Sequence, residues 1–407
     1  EMGDDEPLPP YLLPTRPCDP REIAAWDPEC IDLGKEAIGR ARARRRWQRR
    51  VEAFRGVAPM PDAPDAILSE QSNVQDSKPR IVTIGRSRNG SAPRLALASL
   101  RTDVACWNQA ARGAPVRSKR RYRQVLRLVN NVIRSEPAAT HLLLPELSLP
   151  NAWIESVADR LIQSRISLIA GAEYRGLKKP RLLNEAVLVL TDDRLGYPAS
   201  VMIRQRKVAP APGEEEELLR VHGKRYPRKA REPDQGGIVY RHGGFEFAVM
   251  ICSELQDIER RSRFRGEVDS LIVLSWCKDI DTFAPLIESA ALDAHAYVAF
   301  VNNREFGDSR VRSPAKKSHQ RDLCRIRGGE DDYAVVVKLD VENLRRFQSR
   351  AKSWPRDDDL FKPVPQGFKI AERRRLTPGA SSDQPAVEPS ADDLTELAGG
   401  NDDESWS

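Results

Sequence analysis

Three strand-like runs, far apart along the chain, each lead to a side chain that can take part in covalent chemistry. The run at 141–144 leads to Glu146, the segment MIRQRK ends at Lys207, and the run at 245–251 leads to Cys252. Several dozen residues separate each of these side chains from the next, so only a fold can bring them together. In an α/β sheet, side chains at the carboxyl ends of strands line the ligand crevice. The sequence therefore predicts an α/β fold with all three residues in one crevice.

A carboxylate, an ammonium and a thiol are the groups that nucleophilic cleavage of a carbon–nitrogen bond requires. Cysteine attacks as the thiolate, so it needs a base close by, and Glu146 is the candidate base. A fixed positive charge stabilises the oxyanion that develops during attack, and Lys207 is the candidate for that charge. Cys252 is then the candidate nucleophile.

The order Glu, Lys, Cys at strand ends resembles that of the nitrilase, or carbon–nitrogen hydrolase, superfamily. The resemblance covers residues 80–345 and includes other segments of the family in the same order. They are a first strand at 81–85, a long helix at 119–134, a strand at 167–172, the run LLNEAVLVL at 182–190, a buried strand at 269–276 and VNNREFGDSRVRSP at 301–314. The resemblance implies a four-layer α-β-β-α sandwich of the nitrilase type, in which two mixed sheets pack face to face.

The resemblance also implies an activity. Members of the family hydrolyse small amides or nitriles through a thioester on the cysteine, and they need no metal, nucleotide or organic cofactor. Family members commonly associate through helices near the nucleophile, so we expect a homo-oligomer. The sequence does not distinguish an amide substrate from a nitrile, because loops shape the pocket.

Four further residues are predicted to support the site. The family usually has an aromatic or acidic residue directly after the nucleophile, whereas this chain has Ser253 there and Glu254 next, which predicts a smaller or more polar acyl pocket. The family's second, structural carboxylate follows the lysine, and among the four glutamates at 214–217 we assign it to Glu215. Asn303 is expected to fix the backbone beneath the site rather than to contact substrate.

Each predicted catalytic residue also has a plain structural interpretation when it is considered alone. A cysteine at a strand end is usually a small buried hydrophobe, Glu146 could cap a helix, and Lys207 lies in a charged run of the kind that normally faces solvent. The order of the three residues and their flanking strands favour the catalytic interpretation. Cys277 and His295 are predicted to be structural.

The length and composition fit one enzyme domain with attachments. Of the 407 residues, 40% are hydrophobic, which is enough for a sizeable core. We predict a Pro-rich and basic N-terminal extension and linker at 1–79, the nitrilase-like domain at 80–346, and a polar, disordered tail at 347–407. Because the chain starts at Glu1 rather than at methionine, we expect it to be a fragment of a longer protein.

Cysteine spacing and hydropathy indicate the compartment. The six cysteines show no C-x-x-C spacing, so they carry no signature of a metal or redox site. No apolar run is long enough to span a bilayer. No signal-peptide pattern is visible either. We therefore expect a cytoplasmic protein with free thiols, without a metal and without a membrane partner.

Two basic segments support a second hypothesis, binding of nucleic acid. The segment at 35–55 is dense in lysine and arginine, and Trp47 and Phe54 could stack on bases. Its candidate phosphate contacts are Arg42, Arg44, Arg45, Arg46, Arg49 and Arg50. The second segment, at 117–127, is more simply explained as the solvated or interdomain face of a helix. The apolar stripe that this helix should turn to the core is Val125, Leu128, Val129 and Val132.

An alternative function follows from these attachments. Nitrilase-like domains are also found fused to reverse transcriptases in bacterial antiviral defence systems, and a basic, Pro-linked leader would suit such a fusion. The domain would then act mainly in scaffolding or in nucleic-acid association within a larger defence protein. No polymerase motif is present in these residues.

Overall fold

The computed structural model of the protein describes residues 78–85, 92–176, 180–192, 199–226, 237–350 and 357–376. The basic segment at 35–55 and nearly all of the predicted extension at 1–79 lie outside these residues. The predicted boundary at residue 80 coincides with the start of the first described strand.

Two mixed sheets are formed by the strands of the described residues. The seven-stranded sheet has the order β1-β7-β8-β9-β10-β11-β12, and the six-stranded sheet has the order β13-β2-β3-β4-β5-β6. The strands are β1 (Arg80–Ile84), β2 (Arg94–Ser99), β3 (His141–Leu149), β4 (Ser167–Gly176), β5 (Leu182–Asp192), β6 (Ala199–Arg206), β7 (Ile238–His242), β8 (Phe245–Ile251), β9 (Ser270–Ser275), β10 (Tyr297–Asn302), β11 (Ser309–Arg312), β12 (Asp322–Ile326) and β13 (Tyr333–Lys338).

Helices and short 3-10 turns connect these strands. The α-helices are α1 (Val104–Ala111), α2 (Lys119–Ile133), α3 (Ile154–Gln163), α4 (Pro212–His222), α5 (Ile258–Ser262), α6 (Ile280–Asp293) and α7 (Val341–Gln348). The 3-10 turns are Asn151–Trp153, Cys252–Gln256, Ser318–Gln320 and Glu372–Arg374. Within the described residues, every helix is too short or too polar to cross a membrane.

The central strands are buried on both faces, and their alternate residues enter two different cores. On β3, Leu143 lies in the core between the two sheets, whereas Leu142 and Leu144 lie in a separate core under the helices. This alternation is the period of two that a strand imposes on its side chains. The apolar stripe predicted for α2 lies in this second core, with Leu161 of α3, which confirms that prediction.

The opposite face of the seven-stranded sheet is covered by α6. Phe283 of this helix contacts Phe300 of β10, with ring centroids 5.8 Å apart. Across the sandwich, His141 of β3 contacts Phe247 of β8, with ring centroids 5.9 Å apart. The layers are therefore helix, sheet, sheet and helix, and the predicted four-layer α-β-β-α sandwich is confirmed.

The predicted disordered tail at 347–407 is wrong for its first part. Helix α7 continues past residue 346, and residues 357–376 lie against the seven-stranded sheet. There the Lys362 N–H donates to Pro314 O at 2.9 Å, and the Ala371 N–H donates to Gly266 O at 3.0 Å. The segment is polar and shows few apolar residues that could form a core, which is why its composition predicted disorder. The buried carboxylates that bind its arginines lie far away in the sequence, so the composition of the segment does not reveal them.

Two buried side chains anchor this C-terminal segment. Arg374 is 1% exposed and pairs with Asp269 at 2.7 Å. His295, predicted to be structural, hydrogen-bonds through Nε2 to Lys362 O at 2.8 Å and stacks on Phe347 with ring centroids 5.7 Å apart. The structural prediction for His295 is therefore confirmed.

Candidate active site

Glu146 lies where β3 departs from its neighbour β4. The register between these parallel strands shifts between Leu144 and Leu149, and Leu147 has a φ of 55°. On β4, Gly171 makes the close approach of the two backbones possible, because a Cβ there would clash with Glu146 Cα and lie 2.5 Å from Pro145 O. The local backbone thus turns a buried carboxylate, 2% exposed, into the space between the sheets.

Lys207 is the first residue after β6, and it contacts two carboxylates. Its Nζ donates to Glu146 Oε1 at 2.8 Å and to Glu214 Oε2 at 2.6 Å. The assignment of the second carboxylate to Glu215 is therefore wrong, since Glu215 is exposed on α4. Adjacent helical residues point about 100° apart, so an error of one residue selects a different face of the helix.

Cys252 begins the 3-10 turn that follows β8, and its backbone has a φ of 47°. A positive φ is uncommon for a residue with a side chain and is found mainly at functional sites. The Ser275 hydroxyl donates to Cys252 Sγ at 3.4 Å. The thiol is buried, and it lies close enough to Glu146 and Lys207 to sense both charges.

The turn after β9 connects the thiol to the carboxylate. The peptide N–H of Trp276 donates to Glu146 Oε2 at 3.0 Å, and the backbone of Trp276 also acts to lower the pKa of the Cys252 thiol. Asn302 holds this turn in place, because its side chain accepts from Cys277 N–H at 2.8 Å and donates to Cys277 O at 2.9 Å. The three residues predicted to be catalytic thus meet in one buried site.

The charges in this site assign different protonation states to its members. Burial alone would lower the pKa of Lys207, but Glu146 and Glu214 together raise that pKa well above its ordinary value. Burial raises the pKa of Glu146, and the attraction of Lys207 offsets this only in part. For Glu214, burial opposes ionisation, yet Lys207 and several hydrogen-bond donors lower its pKa. Lys207 is therefore cationic, Glu214 is its counter-ion, and Glu146 is the carboxyl group that ionises less readily of the two.

The thiol is protonated at neutral pH. Burial, together with the negative charge of Glu146, raises the pKa of Cys252 to about 12, although Lys207 acts in the opposite direction. Attack by sulfur must therefore coincide with transfer of its proton to a base. Glu146 is the available base, because Lys207 stays protonated.

Ser253 and Glu254 connect the nucleophile turn to the segment after Lys207. Ser253 Oγ donates to Ala209 O at 2.7 Å. The carboxylate of Glu254 accepts from the Val208 N–H at 2.6 Å and from the Ile251 N–H at 2.9 Å. Both side chains are thus occupied with backbone groups and fix the distance between the cation and the thiol.

Asn303 fixes backbone, but that of Thr102 and of its own turn rather than that of the turns carrying Cys252 and Trp276. Its Nδ2 donates to Thr102 O at 2.8 Å, and its Oδ1 accepts from the Glu305 N–H at 3.2 Å. The neighbouring Asn302 supports the site instead, because it lies opposite Ser275 in the pairing of β10 with β9. The sequence VNN contains both residues, and only the strand register distinguishes them.

The sequence prediction missed three side chains that surround the two carboxylates. Asn184 Nδ2 donates to Glu146 Oε1 at 2.8 Å and to Glu214 Oε1 at 3.3 Å. The Tyr174 hydroxyl donates to Glu214 Oε1 at 2.7 Å, and the Tyr226 hydroxyl donates to the same oxygen. A polar residue in the apolar run LLNEAVLVL was the available signal for Asn184.

Two further predictions concern neighbours of the site. Cys277 Sγ donates to Asp279 O at 3.4 Å, which agrees with its structural assignment. In the basic segment at 117–127, Arg121 is buried and pairs with Glu173 at 2.5 Å while it donates to Ser148 O at 3.1 Å. This arginine therefore supports the end of β3. Among the described residues, no cluster of ligating side chains could hold a metal ion.

Comparison with solved structures finds amidases. An amidase from Nesterenkonia sp. is 17% identical over 63% of this chain and 93% of that chain, with a TM-score of 0.43. A cysteine-to-serine mutant of the Nesterenkonia AN1 amidase from the nitrilase superfamily is 16% identical over 63% and 95%, with a TM-score of 0.44. A double mutant in complex with acrylamide is 17% identical over 66% and 97%, with a TM-score of 0.44. These likenesses concern the fold alone. No family model and no curated protein matches the sequence.

Proposed function

We propose that this chain is a carbon–nitrogen hydrolase that cleaves a non-peptide amide or nitrile through a thioester on Cys252. The observation that carries the proposal is the placement of Glu146, which accepts from Lys207 Nζ at 2.8 Å and from the Trp276 N–H at 3.0 Å, and whose negative charge acts on the Cys252 thiol. The same carboxylate is therefore next to the proton it must take and next to the cation that faces the reacting carbon.

Acylation begins with the thiol. For an amide, Cys252 Sγ attacks the carbonyl carbon while its proton passes to Glu146, and the carbonyl π electrons move onto oxygen. Lys207 and the peptide N–H of Ser253 stabilise the resulting oxyanion, a contribution typically of about 3 kcal/mol per donor. The carbon–nitrogen bond then breaks, Glu146 returns the proton to nitrogen, and ammonia or an amine leaves. The product is a thioester.

Deacylation uses the same groups in the same order. Water attacks the thioester carbon while Glu146 takes one of its protons, and the carbon–sulfur bond breaks as the tetrahedral intermediate collapses. The sulfur leaves with the proton returned from Glu146, which restores the thiol and frees the acid. For a nitrile, addition of the thiol gives a thioimidate, and water then yields the amide or the acid with ammonia.

The electrostatics of the site support this division of roles. A base that works near neutral pH should have a pKa above that of an ordinary carboxylate, and burial moves the pKa of Glu146 in that direction. An oxyanion partner should stay charged throughout, and the two carboxylates keep the pKa of Lys207 high. A thiol with a pKa of about 12 depends on the base and is inert without it.

The test is ammonia release from a panel of small amides and nitriles. We expect Cys252→Ala to abolish release and Cys277→Ala to retain it, because the second cysteine is also buried after a strand but bonds only to a backbone carbonyl. Trapping the acyl group on Cys252 and measuring the mass of the adduct by mass spectrometry would identify the acyl part of the substrate. Release that survives Cys252→Ala would refute the hydrolase proposal.

The alternative, a module that acts in scaffolding or nucleic-acid association within a larger defence protein, stays a hypothesis. Its candidate arginines at 42–50 lie outside the described residues. We would compare the biological activity of Cys252→Ala with that of a charge reversal across those arginines. Activity that survives the first change and is lost with the second would favour the binding function. The homo-oligomer and the cytoplasmic location also remain predictions.

A further inference from the structure

We propose that Tyr174 and Tyr226 are positioning residues that hold Glu214 permanently as a carboxylate, so that proton transfer in the site falls to Glu146 alone. The inference rests on the proposed function and concerns how the same site divides labour between two glutamates. Neither tyrosine contacts the thiol or Glu146 in the hydrogen bonds of the described residues, so they act through Glu214.

The hydrogen bonds to Glu214 use both of its oxygens. Lys207 donates to Oε2 at 2.6 Å, while Oε1 accepts from Tyr174 at 2.7 Å, from Tyr226, and from Asn184 at 3.3 Å. Four donors, and no neighbouring group that needs to accept, suit an ionised carboxylate. A protonated Glu214 would have to give up one of these contacts.

The direction of the Tyr174 hydrogen bond is fixed by another side chain. The Trp107 indole N–H donates to the Tyr174 oxygen at 3.0 Å, and an indole nitrogen can only donate. The phenol oxygen is thus an acceptor toward Trp107, and its own hydrogen is left for Glu214. The chain of donors runs from α1 through β4 to the first turn of α4, where a negative charge is also favoured by the helix N-terminus.

The charge balance explains why such a device is needed. Two carboxylates share one ammonium, so ionisation of both leaves a net negative charge in a buried site, and a proton is drawn to the pair. The groups that face Glu214 are Lys207, Glu146 and the two phenols. Asn184 donates a hydrogen bond to each of the two carboxylates and so does not favour ionisation of Glu214 in particular. Two phenols donate to Glu214 alone, whereas Glu146 alone receives the single N–H of Trp276, so the balance of donors favours ionisation of Glu214. The phenols keep the proton taken from the thiol off Glu214 and therefore on Glu146, from which it returns to the leaving nitrogen.

The experiment measures the reactivity of Cys252 with 2-chloroacetamide against pH, by mass spectrometry of the intact protein. Sulfur displaces chloride from the CH₂ carbon while its proton passes to Glu146, so the alkylation rate follows ionisation of Glu146. We expect the acid limb of the rate profile to move downward by about one pH unit in Tyr174→Phe/Tyr226→Phe, because the shared proton then settles on Glu214 and leaves Glu146 ionised at lower pH. Each single variant should move the limb by less, in the same direction.

Two controls separate this effect from a loss of packing. Tyr297→Phe removes another buried phenol, which donates to Asp340 O outside the site, and should leave the limb unchanged. In a Glu214→Gln background, the tyrosine changes should have no further effect, because their target has lost its charge. Thermal unfolding of each variant verifies that it is folded.

The outcomes distinguish the inference from the function on which it rests. An acid limb that moves upward, or that stays within a few tenths of a pH unit of wild type, in the folded single and double variants would overturn the role of the tyrosines. An equal shift in Tyr297→Phe would overturn it as well. If wild-type Cys252 reacts no faster than Cys277 at any pH, the hydrolase proposal fails, and the inference that rests on it fails as well.

Discussion

The peptide N–H of Trp276 donates to Glu146 Oε2 at 3.0 Å, and this bond links the ends of two strands that belong to different sheets. Glu146 lies on β3 of the six-stranded sheet, and Trp276 directly follows β9 of the seven-stranded sheet. The thiol of Cys252 follows β8, next to β9. The distance between base and nucleophile is therefore set by how the two sheets pack, and changes to backbone spacing there should affect reactivity.

Gly171→Ala should displace the base. A methyl group at this position would clash with Glu146 Cα and lie 2.5 Å from Pro145 O, and backbone atoms cannot swing away as a side chain would. We expect alkylation of Cys252 to slow by at least about tenfold and unfolding to require about 1–3 kcal/mol less free energy. Gly176→Ala is the matched control on the same strand, because its added methyl would meet nothing within 4 Å. Equal effects of the two changes would refute this account.

Asn302→Ala and Asn303→Ala should have different consequences. Loss of the Asn302 amide removes the partners of Cys277 N–H and Cys277 O, and the turn that carries Trp276 loses its support. Alkylation of Cys252 should then fall severalfold, with a stability loss of about 1–3 kcal/mol. Asn303→Ala frees the Thr102 backbone instead, so its stability should fall while Cys252 keeps its reactivity. Stopped-flow alkylation and urea unfolding measure the two quantities, and a reversed order would contradict the assignment.

The sequence predicted the architecture and the meeting of the three reactive groups because these depend on long, repeated signals. Apolar runs indicate buried strands, and the ends of parallel strands meet at one edge of a sheet regardless of the length and conformation of the loops. The error at Glu215 has a different origin. A run of identical residues carries no register, so only the start of α4 after Ala211 decides which glutamate turns toward Lys207.

The ordered C-terminal segment could not be predicted for a physical reason of another kind. Composition measures what a segment can bury by itself, whereas residues 357–376 are held by charges that the body of the domain supplies. Arg374 has its partner Asp269 more than a hundred residues earlier in the chain. A single sequence does not reveal such a pair.

Arg374→Met should destabilise the protein strongly. Its guanidinium and the carboxylate of Asp269 both have fully buried side chains, and its NH1 also donates to Gly266 O at 2.7 Å. Breaking one partner of a buried pair usually costs about 3–5 kcal/mol, and Arg345 on the same carboxylate should reduce the loss toward the lower value. The neighbouring Arg375→Met is the control, since its pair with Glu372 is exposed and should contribute less than about 0.5 kcal/mol. If urea unfolding shows that Arg375→Met lowers the free energy of unfolding as much as Arg374→Met does, this account of the segment is contradicted.

Stability should decline in mild acid through His295. Burial lowers the pKa of this imidazole to about 4, despite favourable bonds to the backbone carbonyls of Lys362 and of His295 itself. Between about pH 6.5 and pH 4 the unfolded chain binds a proton that the folded protein does not, so folding free energy is lost as the pH falls through this window. The loss approaches about 3 kcal/mol near pH 4 and grows no further below it. We expect His295→Gln to lower stability at pH 7 but to remove this part of the pH dependence. Urea unfolding of wild type and variant at pH 7 and pH 4.5 measures the difference, and parallel losses in the two proteins would show that His295 is not its source.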